Sequence, residues 1–335
     1  MKNVLYVGNA LSHSGKNITS IETLSIHLKE DYNIKIASIK PNRTLRLLDM
    51  MGLILKNTKN TDRVLIDTYS TLNFYYALVI SQLCRAFKLH YIPILHGGNL
   101  ESRLKNNPRL SKLIFKNAKC LVSPSKFLKS KFEIYGYTNL IFIPNTIQIN
   151  NYQFKSRAVD TIKLLWVRSF SKIYNPKLAI LVLEALINKG YKAQLTMVGP
   201  DSDNSLNELK ALALNKKLTV DFTGKLTQLE WITRSKTHNI FINTTNLDNA
   251  PVSVIEAMAL GLPIVSTNVG GLPFLVENEL EGLLVKPDDI KAMANAIIRL
   301  KEDNLLKDKL IFNARVKAET FDWSHVKQSW NRLLN

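Results

Sequence analysis

Two carboxylates, Asp248 and Glu256, stand either side of Pro251 in the run TTNLDNAPVSVIEAMALGLPIVSTNVGGLP, residues 244–273. A proline suits the first turn of a helix, where its missing N–H leaves no bond unmade. A helix opening there would present the amides of Val252, Ser253 and Val254 unpaired, an anion site well matched to a diphosphate. Glu256, one turn further in, is placed to meet a ribose diol, and Asp248 to accept hydrogen bonds from sugar hydroxyls beyond the phosphates. Together the two acids bracket one elongated ligand. Paired carboxylates also serve glycoside hydrolysis, which needs one acid with a raised pKa. A carboxyl beside a helix start is expected to be pushed toward ionisation instead, so hydrolysis fits poorly.

Strands must position these residues. Short β-branched runs at 4–7, 34–38, 63–66, 91–95, 120–122 and 140–143 alternate with helical periodicity. The scheme repeats at 162–167, 194–198, 219–222, 240–242, 263–265 and 282–285, with helices near 177–188, 206–214, 228–235 and 252–260. Such alternation predicts an α/β protein with parallel sheets covered on both faces. The polar segment 144–153 fits neither period, which sets a linker at about 144–160. The expected organisation is a first domain over 1–155, a second over 156–320, and a closing helix over 321–335 that packs back across the domains to bury Trp323 and Trp330. Open parallel sheets bind ligands beyond the carboxyl ends of their strands. Two doubly wound, Rossmann-like domains facing each other therefore predict a central cleft lined by the loops that follow strands. Gly8 and Gly15 fall in the first of these loops. Their separation and the Asn17 after Lys16 depart from the phosphate-cradling loop of nucleotide triphosphatases.

The acid-x7-acid spacing, followed by Ala257-Met258-Ala259, Gly261, Pro263-Ile264-Val265-Ser266 and Val269-Gly270-Gly271-Leu272-Pro273, resembles the donor-site signature of glycosyltransferase family 4. The family's usual first acid is Glu, so Asp248 is shorter by one methylene. Trp166-Val167-Arg168, Val198-Gly199-Pro200 and Phe222-Thr223-Gly224 extend the likeness through the second domain. Leu95-His96-Gly97-Gly98-Asn99, Ser123-Pro124-Ser125 and Ile143-Pro144-Asn145 extend it through the first. The resemblance implies the GT-B fold and anomeric retention. It also implies a UDP- or GDP-linked sugar as co-substrate with no other cofactor, and a glycan or lipid-linked acceptor on the first domain, as in cell-surface polysaccharide or glycoconjugate synthesis. Residue by residue, it implies that Arg168 and a lysine, Lys172 or Lys225, hold the diphosphate, that Glu256 holds the ribose, and that His96 and Asp248 orient the reacting sugar. Gly97 and Gly98 would let the backbone come close.

The net charge of +18 is uneven: residues 1–155 carry 22 Lys and Arg against 8 Asp and Glu, or +14, and the remainder 23 against 19, or +4. The first half faces something acidic. The helix near 108–117, with Arg109, Lys112 and Lys116, and the segment 41–56, with Arg43 and Arg46 among leucines and methionines, are candidate contacts with anionic lipid. No nucleic-acid-binding module or interleaved stacking aromatics appear, so nucleic acid is not an expected partner. The six histidines are scattered and there is no HExxH, so a metal-independent enzyme is expected. Cys84 and Cys120 read as free buried thiols. The start reads as a first strand rather than a secretory leader, and no window reaches the length of a spanning helix, which predicts a cytoplasmic protein, peripheral on the inner membrane face. Two other function classes share parts of this pattern: a GT-B nucleotide-sugar epimerase, and a non-catalytic polyanion-binding protein.

Overall fold

The computed structural model describes residues 1–14 and 18–335. Gly15, one of the two loop glycines, lies outside the described residues. The chain divides into two compact units, Met1–Pro144 with Val326–Asn335, and Asn145–His325. Each contains a six-stranded parallel sheet, and each of the twelve runs read as strands forms one, with ends within about two residues of the expected ones.

In the first unit, β1 (Asn3–Val7), β2 (Asn33–Ala37), β3 (Arg63–Thr68), β4 (Tyr91–Leu95), β5 (Leu121–Ser123) and β6 (Leu140–Phe142) lie in the order β2-β1-β3-β4-β5-β6. The inner strands are covered on both faces: β4 is buried along its whole length, and Val4 to Val7 of β1 likewise. β2 exposes Asn33, Lys35 and Ile36 at an edge, where polar side chains discourage pairing with another chain. Because β2 and β3 flank β1 on opposite sides, the order reverses between β1 and β3. That switch point is where an open α/β sheet leaves a crevice beyond its carboxyl ends. Part of the last helix, Trp323–Leu334, belongs to this unit from Val326 onward. Trp330 and Leu334 are buried, Tyr32 donates to Asn331 at 3.1 Å, and Lys327 pairs with Glu30 at 3.0 Å and Asp31 at 2.9 Å.

The second unit holds β7 (Ile162–Val167), β8 (Ala193–Val198), β9 (Val220–Gly224), β10 (Ile240–Asn243), β11 (Ile264–Thr267) and β12 (Leu283–Val285), in the order β12-β11-β10-β7-β8-β9. Its switch point falls between β7 and β10. Trp166 of β7 is fully buried against Phe170, ring centroids 5.2 Å apart, and its indole N–H donates to Thr244 Oγ1 at 2.9 Å. A core side chain thus ties the end of β7 to the loop after β10 across the switch point. No helix among the described residues is long and apolar enough to cross a membrane.

Candidate functional site

The loops leaving β7 and β10 bring Arg168 and Asp248 together, although eighty positions of sequence separate them. The Arg168 amide donates to Val198 O at 3.0 Å, fixing the backbone against β8. Gly199 makes this approach possible: its φ is +152°, and a Cβ on it would sit 1.8 Å from Arg168 O. The Arg168 guanidinium lies over the Tyr174 ring, 4.7 Å from its centroid, and its Nη2 forms an ion pair with Asp248 Oδ2. Burial depresses the basicity of Arg168, while Tyr174 and Glu256 oppose the shift. Its Nε is buried with no acceptor among the described residues. Asp248 Oδ1 accepts from the Asn249 amide at 2.8 Å. The two residues assigned separately to phosphate and sugar are partners of one another.

Glu256 lies on the helix Val252–Ala259, whose neighbouring positions Val254, Ile255, Ala257, Met258 and Ala259 are all buried. A carboxylate in such a face is costly unless it is hydrogen-bonded. Two donors supply the bonds: Tyr152 OH at 2.6 Å and Gln228 Nε2 at 2.7 Å, both to Oε1, with Gln228 also donating to Tyr152 OH at 2.7 Å. Gln228 is set by a capping box in which Thr227 caps the helix Gln228–Ser235 and Glu230 reaches back to it. Burial raises the Glu256 carboxyl above the ordinary range; the bonds from Tyr152 and Gln228 and the charge of Arg168 pull it down without reversing the shift. The expectation that the helix start would favour ionisation is therefore corrected. Desolvation is the largest cause of the opposite shift.

The helix start differs from expectation as well. Pro251 is the cap residue, with extended ψ of 116°, rather than a member of the first turn. Its carbonyl accepts from Val254 at 3.1 Å and Ile255 at 3.4 Å, so the Val254 amide is already paired. Val252 and Ser253 keep amides without acceptors among the described residues, and Ser253 Oγ is buried and unpartnered. What the helix start leaves of the expected anion site is two amides and a hydroxyl.

Lys172 and Lys225 lie in the loops that follow β7 and β9, both exposed. Lys172 opens the short 3-10 turn Lys172–Tyr174. Its side chain lines a cavity of about 460 Å³ with Asn175, Ser205 and Glu208, and its amide donates to Asp203 Oδ2 at 2.7 Å. Lys225 follows Gly224, whose φ is +73° and whose carbonyl accepts from the Gly199 amide at 2.8 Å. The expectation of a metal-independent enzyme also rested on the absence of an Asp-x-Asp, but Asp201-Ser202-Asp203 forms one. Asp203 accepts from the backbone amides of Lys172 and Ser205, which makes it a turn former.

In the first unit, Gly8 follows β1 and His96 follows β4. His96 is buried, its Nε2 lies 2.7 Å from Asp67 Oδ1, and its ring stacks on Tyr69 at 5.0 Å. Gly97 next to it has φ +81°, with nothing within 4 Å of a Cβ built there, and Gly98 is half-buried. Asp67, Tyr152, Tyr174 and Gln228 were not singled out from sequence. Each is an ordinary residue until the fold sets it beside a polar or charged partner.

Residues 148–317 match the family model described as glycosyl transferases group 1. The capsular polysaccharide biosynthesis glycosyltransferase CapM of Staphylococcus aureus is 28% identical over 155 residues, 44% of this chain and 40% of CapM, so the match spans less than half of either protein. Among solved structures, sucrose-phosphate synthase from Thermosynechococcus elongatus aligns over 99% of this chain and 98% of its own, with TM-score 0.83 and 18% identity. Anabaena HepE in complex with UDP and glucose aligns over 100% and 99%, with TM-score 0.76 and 17% identity. At these identities the likeness establishes the fold, an α/β GT-B architecture.

Proposed function

The chain belongs to the family of glycosyl transferases group 1, and from that premise we propose that it is a retaining glycosyltransferase. It moves a sugar from a nucleotide-diphosphate sugar to a glycan or lipid-linked acceptor in the synthesis of a cell-surface polysaccharide or glycoconjugate, with no cofactor beyond the sugar nucleotide. The observation that carries this reading is the cluster at the second unit's switch point, where Arg168, with its unpartnered Nε, meets Asp248 and a hydrogen-bonded Glu256 is buried on the next helix.

Charge builds on the departing nucleoside diphosphate as the bond to the sugar breaks. Arg168, the Val252 and Ser253 amides and one of Lys172 and Lys225 stabilise that charge in place. A bound diphosphate competes with Asp248 for the guanidinium, which frees the Asp248 carboxylate to accept from sugar hydroxyls. Glu256, with Oε1 already held by Tyr152 and Gln228, offers Oε2 to the ribose. Binding of UDP by Anabaena HepE supports a uridine donor as the first to test.

Thermal melting with UDP, GDP, ADP, CMP and their common sugar conjugates, on the wild type and on Glu256→Ala, tests the donor site. A ligand at about 100 times its Kd stabilises by roughly 2.7 kcal/mol, a shift of several degrees. One nucleotide should give that shift, and Glu256→Ala should abolish it. A panel with no response removes the basis for a nucleotide-sugar donor.

The acceptor side of the proposal is peripheral association with the inner membrane face. The +14 half supports it, as do Leu45, Leu48 and Leu55, exposed on the helix Arg43–Asn57 beside Arg43 and Lys56; Arg46, expected on the same face, is instead buried and donates to Lys40 O, Pro41 O and Asn9 Oδ1. Sedimentation with vesicles containing phosphatidylglycerol should exceed that with neutral vesicles at low salt and fall as salt shortens the Debye length below about 10 Å. Equal sedimentation with both would make recruitment by charge wrong.

A further inference from the structure

Three strand ends of the first unit meet at one carboxylate. Asp67, near the end of β3, has a side chain with no exposed surface. Its Oδ1 accepts from Tyr6 OH of β1 at 2.8 Å and lies 2.7 Å from Nε2 of His96, which follows β4. Its Oδ2 is buried with no partner among the described residues. The fit is close: a Cβ on Gly8 would sit 2.5 Å from Oδ2 and 3.0 Å from Cγ. The charge is felt nearby, since burial first and Asp67 second raise the phenols of both Tyr6 and Tyr69.

A sealed carboxylate with one oxygen unbonded is poor material for a core. Apolar side chains of the same volume usually do as well or better there. What the carboxylate does achieve is control of an imidazole. An ionised carboxyl can only accept, so an imidazole carrying a single proton beside it places that proton on Nε2 and leaves Nδ1 with a lone pair. The His96 amide donates to Thr68 O at 2.8 Å and Tyr69 stacks on the ring, so the ring plane is fixed as well. Nδ1 has no partner among the described residues, and 9% of the side chain remains accessible.

We propose that Asp67 is a positioning residue for the transfer reaction: it holds His96 in the Nε2–H tautomer, so that Nδ1 accepts a hydrogen bond from a sugar hydroxyl at the carboxyl edge of the first sheet. This rests on the glycosyltransferase reading, and Gly8 belongs to the same device, because any larger residue displaces the carboxylate.

The test has two arms. In ¹⁵N-histidine spectra of the ligand-free protein, with His96 assigned by its loss in His96→Gln, the wild type should show the Nε2–H pattern. Asp67→Leu, made with Tyr6→Phe so that no phenol is stranded, should show a mixture of tautomers, and Gly8→Ala should shift in the same direction. In the assay, both variants should lose about 10- to 100-fold in kcat, as removal of a partner that orients a ligating imidazole does, with KM for the sugar nucleotide and UDP affinity unchanged. A wild-type Nδ1–H pattern overturns the proposal, and so does full kcat in a variant whose tautomer has shifted. Should Asp67→Leu fail to fold, Gly8→Ala reads both arms with the carboxylate still present. The spectra need no donor, so a protein that transfers no sugar sinks the transferase reading while the tautomer still decides whether Asp67 orients His96.

Discussion

Arg168→Ala is expected to lower kcat for sugar transfer by about 10²–10³, the usual consequence of losing one fixed group that stabilises charge in the transition state, equivalent to roughly 3–4 kcal/mol. The guanidinium is set by the β7 backbone, by the Tyr174 ring beneath it and by Asp248 beside it. It therefore needs little reorganisation as charge develops on the leaving group. The single variant also strands Asp248. Breaking a fully buried pair costs about 3–5 kcal/mol of stability; the two side chains here keep 17% and 14% of their surface, so solvent screening makes the cost smaller. Arg168→Ala combined with Asp248→Asn separates the effects. The melting temperature should return toward that of the wild type while kcat stays low. Recovery of both would mean that Arg168 serves only as the counter-ion of Asp248. Arg168→Lys should fall between, because an ammonium keeps the charge but neither the planar fork nor the stacking on Tyr174.

The strands were legible because each is a short apolar run between polar segments, and burial on both faces of a parallel sheet leaves that mark in any sequence. Strand order was not, since the pairing of β10 with β7 rather than β9 depends on how helices pack. The switch points, and with them the meeting of Arg168 and Asp248, come only from the fold. Glu256 was legible through its local frame of Pro251 and the Gly-Leu-Pro after it. Its donors were not: Tyr152 lies 104 positions away in an irregular segment, and Gln228 opens a different helix. The error over its ionisation has the same origin. Spacing reveals a helix start but not how completely the apolar neighbours exclude water. Pro251 misled for a subtler reason, because a proline serves equally at the cap and one residue later, and the one-position shift decides whether the Val254 amide is free.

Gly271→Ala is expected to lower the rate of sugar transfer and weaken sugar-nucleotide binding, by on the order of 10²-fold, although the backbone there suits any residue, with φ of −85°. The obstacle is contact. A Cβ on Gly271 would lie 1.6 Å from Asn249 O and 2.6 Å from its carbonyl carbon, and one on Gly270, where φ is +53°, would lie 2.3 Å from Asp248 O. The Gly271 amide also donates to Asp248 O at 2.9 Å. The paired glycines are therefore the surface against which the loop carrying Asp248 is moulded, and neither atom in the way can swing aside as a side-chain tip could. Overpacking of this kind costs about 1–3 kcal/mol or more. A displacement of the loop by about 1 Å is enough to cost on the order of 10²-fold in a positioned site. Gly136→Ala supplies the control: φ is +82° there but nothing lies within 4 Å of the added carbon, so only left-handed strain of about 1–2 kcal/mol is paid. Both variants should melt earlier than the wild type, and calorimetric titration with the sugar nucleotide should separate them. Affinity should be retained in Gly136→Ala and weakened in Gly271→Ala. Retained affinity in both would mean that the loop can retreat from Gly271 without moving Asp248, and that the two glycines serve packing alone.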